Sequence, residues 1–261
     1  MEGAEGVNEA NEVAQSGSFT VRGLPVGDHA LLLEVGSDEA VEALHAELLR
    51  RVGTPALPAV REIVPAARTV LLDGLTDPAR TAARLTEWHI PALTRDQGAA
   101  VEIPVRYDGP DLRDVAKLWG VTPDEVVRIH SGTEFRVAFC GFAPGFGYLT
   151  GLPDRYHVPR RATPRTRVPV GSLALAGPYT GVYPRSSPGG WQLIGTSNAV
   201  LWDAAREPAA LFAPGTRVRF VPQEEPLTPG QGGAAAHAEG TPVTEGLPRQ
   251  SARSAANEVA R

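Results

Sequence analysis

At 261 residues, with 42% hydrophobic and 21% charged side chains and a formal net charge of −5, the chain has the composition of a globular protein. The negative balance leaves no general footprint for nucleic acid, and no run approaches the roughly 18–20 apolar residues of a membrane span. One cysteine, Cys140, excludes an intramolecular disulfide and fits a reducing cytoplasm, and the acidic first residues lack the apolar run of a secretory signal.

Residues 1–17 and 223–261 hold no Phe, Tyr, Trp or Ile. Neither stretch buries enough apolar surface to offset about 1–2 kcal/mol of backbone entropy per residue, so both read as disordered tails. Residues 18–97 read as a compact α+β sandwich. "FTVRGLP" and "ALLLEVG" have the pattern of strands. A helix over 38–51 follows, with Ser37 as its cap and Val41, Leu44, Leu48 and Leu49 as its apolar stripe. "AVREIVPAARTVLLDG" gives two strands turning near Pro65, and Asp77 with Pro78 opens a second helix that turns Leu85 and Trp88 inward.

Residues 98–222 form a second domain. "AVEIPVRYDG" alternates Val101, Ile103 and Val105 on one face of a strand. Two short helices start at Asp111 and at Thr122-Pro123, with Gly120 as the stop between them. Beyond His130 the chain turns to short β segments with frequent Gly and Pro, the signature of a β-barrel or closed sandwich. The clearest are "EFRVAFCGF", "GSLALAG", "GVYP", "WQLIGTS" and "TRVRFVP".

Familiar catalytic motifs are absent: no P-loop lysine, no G-x-S-x-G, no H-E-x-x-H and no paired Cys or His spacing for a metal. Four stretches stand out instead. "FCGFAPGFGYLTGLP" places three Phe and a Tyr on a backbone with four Gly. Residues 154–185 carry six Arg and one acid, with the Arg alternating with Pro. Two readings stand for that segment: a stiff rim that grips an anion through planar guanidinium forks, or a solvated loop whose Arg pair with acids from elsewhere. "YPRSSPGGWQLIG" sets Trp191 directly after a Gly pair, as a close-approach site or a tight β-turn. His130 ends a helix, where the dipole favours an imidazolium, suiting acid–base work or simple capping. Cys140 reads as an inert small hydrophobe.

Read in order, "GFAPGFGYLTGLP", "PRRATPRTRVPVGSLALAG" and "TGVYPRSSPGGWQLIGTS" resemble the 5-oxoprolinase B-subunit family, also called kinase-A inhibitor or allophanate hydrolase subunit 1. The chain departs from the family pattern at Tyr179 and at Thr196, Ser197 and Asn198. The resemblance implies an N-terminal α+β domain followed by a cyclophilin-like β-barrel. It further implies a protein that joins a homologous C-subunit and a separate A-subunit to hydrolyse 5-oxo-L-proline to L-glutamate, using ATP with Mg2+ shared among the three. Related functions in the family are carboxyl transfer in urea carboxylase and inhibition of a histidine kinase. On this view His130, Arg160 and Arg165 are the catalytic candidates, with no metal ligands. Phe142, Pro144, Gly145, Phe146, Tyr148, Gly171, Ser172, Tyr183, Pro188, Gly189, Gly190 and Trp191 would line the substrate groove. Gly171 and Ser172 would offer backbone N–H groups to an oxyanion, and Gly141, Gly145 and Gly147 would let a ligand or partner approach.

Overall fold

A computed structural model describes residues 19–85, 88, 90, 91 and 100–224. Most of both expected tails, and the expected domain boundary near residue 97, lie outside the described residues. The structure is mixed α+β, with two main sheets that each carry a core of their own.

The first sheet contains β1 (Arg22–Val26), β2 (Ala30–Glu34), β3 (Glu62–Pro65) and β4 (Thr69–Asp73), in the antiparallel order β1-β2-β4-β3. Strict alternation in β2 and β4 turns Leu31, Leu33, Val70 and Leu72 to one face, where all four are fully buried. Helix α1 (Asp38–Arg51) and helix α2 (Pro78–Leu85) contact this sheet. The α1 start follows the expectation: Ser37 Oγ accepts a hydrogen bond from the Ala40 N–H at 3.2 Å. Its stripe is corrected at one position. Leu49 is 54% exposed, and the buried face is Ala40, Val41, Ala43, Leu44, Glu47 and Leu48. Glu47 is tolerated there because Arg50 and Arg51 both pair with it.

The second sheet is a nearly closed seven-stranded barrel. Its strands are β5 (Val101–Val105), β6 (Phe135–Cys140), β7 (Gly147–Thr150), then, past β8 (Arg165–Val168), β9 (Ser172–Ala176) and β10 (Tyr179–Val182), and, past β11 (Ser187–Gly189), β12 (Gln192–Thr196) and β13 (Arg217–Pro222). The order is β12-β9-β10-β7-β6-β13-β5, with β8 and β11 forming a separate ribbon. Backbone bonds draw the two edges together: Arg106 and Thr196 exchange N–H···O bonds at 2.9 and 2.8 Å, and the Asp111 N–H donates to the Leu193 carbonyl at 2.9 Å. Helices α3 (Leu112–Trp119) and α4 (Pro123–Gly132) pack on each other and on the barrel strands. Gly120 closes α3 in the left-handed region (φ 70°), and Thr122 with Glu125 forms a capping box on α4. Three strands escape the sequence pattern: β7, β8 and β11 are each three or four residues long, with β7 opening on Gly147, β8 confined between Pro164 and Pro169, and β11 holding Pro188 and Gly189.

Candidate functional site

Phe146 anchors the site. Its ring is 2% exposed and meets Tyr148, Phe142, Tyr183 and Trp191 edge-on, with centroids 5.0, 5.4, 5.4 and 5.5 Å away. Such pairs each add about 0.5–1.5 kcal/mol beyond the area they bury, so this box is rigid. It forms one wall of a groove of about 280 Å³, lined also by Arg160, Arg161, Pro164, Pro188, Gly189 and Gly190. The opposite wall is the β8/β11 ribbon and the loop leading into it, where Arg165 pairs with Gly189. The Arg-Pro loop and the Gly-Gly turn are therefore one structural unit.

Phe142 sits at the mouth, 57% exposed and with φ at 64°. The Ala143 N–H donates to the Gly141 carbonyl at 2.7 Å, closing a three-residue turn around it. A bulky residue in the left-handed region is strained, and such strain concentrates at functional sites. Its ring also borders a second, apolar groove of about 440 Å³ with Cys140, Pro144, Gly145, Trp202 and Phe212. Burial pushes the Cys140 thiol up to about 11, so it stays a thiol, as expected of an inert small hydrophobe.

The six Arg of residues 154–185 meet different fates. Arg161 Nη1 and Arg165 Nη2 donate to the same oxygen, Oδ1 of Asp111, at 2.9 and 2.7 Å. Arg155 stacks over Tyr156, 4.6 Å from the ring centroid, and Arg167 donates to Ser186 Oγ at 3.2 Å. Arg185 is exposed on the ribbon turn. Arg160 is exposed, lines the groove, and has no hydrogen-bond or ion-pair partner among the described residues. The segment therefore divides between its arginines. Arg161 and Arg165 pair with an acid from elsewhere, and Arg160 is the guanidinium left open at the groove.

Burial holds the Tyr148 and Tyr183 phenols above their ordinary range, with Arg160 pulling the other way. Both residues line the groove as neutral phenols.

Four expectations are corrected by the geometry. His130 does not reach the groove. It is fully buried, packed against Phe135 and Phe220, with Nδ1 2.8 Å from the Tyr107 hydroxyl and Nε2 3.4 Å from the Thr180 hydroxyl. Burial outweighs the helix dipole and lowers its pKa to about 3, so the imidazole is neutral. Arg165 lies behind the groove on Asp111, outside its lining. Gly171 and Ser172 offer no free N–H groups: they donate to the carbonyls of Tyr183 at 2.8 Å and Pro169 at 3.4 Å. Gly145 and Gly147 accommodate the chain's own structure. A Cβ at Gly145 (φ 82°) would stand 2.9 Å from the Leu201 carbonyl oxygen, and one at Gly147 would stand 3.0 Å from the Phe212 ring.

Asp111 is the buried acid behind the groove whose contacts sequence reasoning missed. It precedes α3 as expected, yet its side chain makes no cap bond. Its carboxylate is 2% exposed and accepts from Arg161, Arg165 and, through Oδ2 at 2.7 Å, the Leu193 N–H. The signal available was the Arg excess itself, which demands a counter-charge from outside the segment.

Residues 21–212 match the family model described as carboxyltransferase domain, subdomain C and D. The chain is 44% identical over 177 residues to the 5-oxoprolinase B-subunit of Escherichia coli O157:H7, covering 65% of this chain and 81% of that protein. It is 36% identical over 216 residues to the 5-oxoprolinase B-subunit of Bacillus subtilis (strain 168), covering 75% of this chain and 90% of that protein. Among solved structures, TTHA0988 superposes with a TM-score of 0.63 at 36% identity. That match covers 80% of this chain and 42% of TTHA0988, so this chain spans less than half of that longer one. The urea amidolyase of K. lactis, at 18% identity and a TM-score of 0.57 over 78% of this chain and 15% of that one, shares the fold alone. The chain belongs to the 5-oxoprolinase B-subunit family, within the carboxyltransferase-domain proteins of subdomains C and D.

Proposed function

We propose that this chain is the B-subunit of an ATP-dependent 5-oxoprolinase complex that hydrolyses 5-oxo-L-proline to L-glutamate. The names of its relatives support this reading, and one observation carries it: a small aromatic-walled groove with a single unpaired guanidinium at its edge. Arg160 supplies a two-pronged donor for the substrate carboxylate. The rings of Phe142, Phe146 and Trp191 pack against the lactam ring and exclude water. The neutral hydroxyls of Tyr148 and Tyr183 are donors for the lactam carbonyl, and each such bond gains strength where water is excluded.

The nucleotide lies elsewhere. A triphosphate is a polyanion, and this groove offers one open cation. The N-termini of α1 and α4 are closed by their own caps, Ser37 and Thr122. We place ATP and its Mg2+ with the partner proteins, so that activation of the lactam requires the A-subunit. The apolar groove beside Phe142 and Trp202, the latter 46% exposed, is the surface for the homologous C-subunit. Co-purification of the three proteins followed by a glutamate assay dependent on both 5-oxoproline and ATP tests the reading. A stable complex without glutamate release would refute it.

A second reading, inhibition of a histidine kinase, draws on that same apolar groove. It needs no anion grip, so Arg160→Ala would leave inhibition intact while impairing hydrolysis.

A further inference from the structure

We infer that Asp111 is a positioning residue: its buried carboxylate anchors Arg161 Nη1 and Arg165 Nη2 and fixes the loop so that, of the three, Arg160 is the one that presents a wholly unpaired guanidinium to the groove. The geometry gives the loop four tethers around Arg160. On one side, Gln192 Nε2 donates to the Pro159 carbonyl at 3.2 Å. On the other, the Arg161 N–H donates to the Gly190 carbonyl at 2.7 Å, and the guanidinium groups of Arg161 and Arg165 both end on Asp111 Oδ1. Asp111 is itself held at the barrel seam, through its N–H to the Leu193 carbonyl and its Oδ2 to the Leu193 N–H. The seam thus locks the loop to β12, two residues from Trp191 in the groove wall.

Charge completes the argument. Arg161 and Arg165 share the buried Asp111 carboxylate, Asp114 adds its charge on the Arg161 side, and Arg160 follows Pro159 in the same loop without a partner among the described residues. Without Asp111, three like charges would crowd one loop and repel it from the groove. With it, one forked cation remains open to an anionic ligand, which is how a single carboxylate is read in one orientation. The inference concerns which arginine is presented, and it rests on the proposed function only for the identity of that anion.

The test uses two readouts. The first is modification of the intact chain by phenylglyoxal, with the sites mapped by peptide mass spectrometry. In the wild type Arg160 reacts, while Arg161 and Arg165 are protected by their carboxylate. In Asp111→Asn, which keeps size and an acceptor for the Leu193 N–H, Arg161 and Arg165 react on the order of tenfold faster in a chain shown to be folded by circular dichroism. The second readout is kinetics of the assembled complex, where Asp111→Asn raises KM for 5-oxoproline about tenfold with kcat within about threefold. Because Asp111 also ties the barrel seam, Arg165→Met serves as a second variant that loosens the loop from the ribbon side. It raises KM in the same sense. Equal reactivity of all three arginines in the wild type overturns the inference, as does an unchanged KM in both folded variants. A wild-type complex that turns over no 5-oxoproline sinks the proposed substrate, and the labelling pattern then decides the inference by itself.

Discussion

The hydroxyl of Tyr107 lies 2.8 Å from Nδ1 of His130, and with the buried Thr180 hydroxyl at 3.4 Å from Nε2 they form a polar thread through a largely apolar core. His130 is fully buried and its pKa falls from 6.5 to about 3, because desolvation disfavours the imidazolium. The unfolded chain therefore takes up a proton near pH 6.5 that the folded chain refuses until about pH 3. The stability tied to this neutral imidazole is present above pH 6.5 and is lost progressively as the pH falls towards 3. Urea midpoints between pH 7.5 and 4 should show a component of about 1.4 kcal/mol per pH unit below 6.5. His130→Gln, neutral throughout, should be less stable at pH 7.5 but show a flatter profile. Equal slopes in the two proteins would show that His130 is protonated in the folded state.

Arg160 and Arg165 occupy equivalent places in sequence, each directly after a proline, and the structure separates them. Arg160 carries no partner among the described residues, so its loss leaves the fold unchanged. Arg160→Ala should lower kcat/KM for 5-oxoproline by about tenfold to a hundredfold, as expected for losing one or two charged hydrogen bonds. Arg160→Lys keeps the charge and loses the fork, and should be nearly as impaired. Thermal melts of both should match the wild type. Activity close to normal in either folded variant would mean that Arg160 is only a solvated rim residue.

Much of this was legible in the sequence because it was local. Alternation gave β2, β4 and β5, and the capping chemistry of Ser37, Thr122 and Gly120 gave the helix limits. Phe142, Phe146, Tyr148, Arg160, Tyr183, Pro188, Gly189, Gly190 and Trp191, singled out in the sequence, come together around one groove. What escaped was long-range. Asp111 reads locally as a helix start, while its partners Arg161, Arg165 and Leu193 lie 50, 54 and 82 residues away. His130 was read from the helix dipole at its own position, and the desolvation that overrides it comes from Phe135 and Phe220 packing on its ring. Strands β8 and β11 have no core-facing alternation to betray them, since they pair only with each other.

Gly189 is the tightest point of the ribbon against the groove. A Cβ there would stand 2.4 Å from the Tyr183 hydroxyl oxygen and 3.2 Å from Val168 Cγ2. Tyr183 is 2% exposed and Val168 fully buried, so neither side chain has room to yield. Gly189→Ala should cost about 1–3 kcal/mol in urea unfolding through overpacking. It should also shift the fluorescence of the neighbouring Trp191. A neutral substitution would show that the ribbon moves freely over Tyr183.

The strained Phe142 makes an opposite prediction for stability and function. Its backbone sits at φ 64°, where a side chain costs about 1–3 kcal/mol and glycine costs little. Its ring is 57% exposed and returns only partial packing, against Phe146 and Tyr183 at 5.4 and 6.3 Å. In Phe142→Gly the relieved strain offsets both the lost packing and the greater freedom of the unfolded chain, so the urea midpoint should stay within about 1 kcal/mol of the wild type. Phe142→Ala loses the packing and keeps the strain, and should be the less stable of the two. Both variants remove the ring that borders the groove of Arg160 and the apolar groove of Trp202. Both should therefore weaken 5-oxoproline turnover and, in light scattering of the mixed proteins, complex formation, whatever their stability. If Phe142→Gly instead unfolds more than about 2 kcal/mol more easily, or leaves turnover and assembly untouched, the ring is a packing element and the strain marks no site.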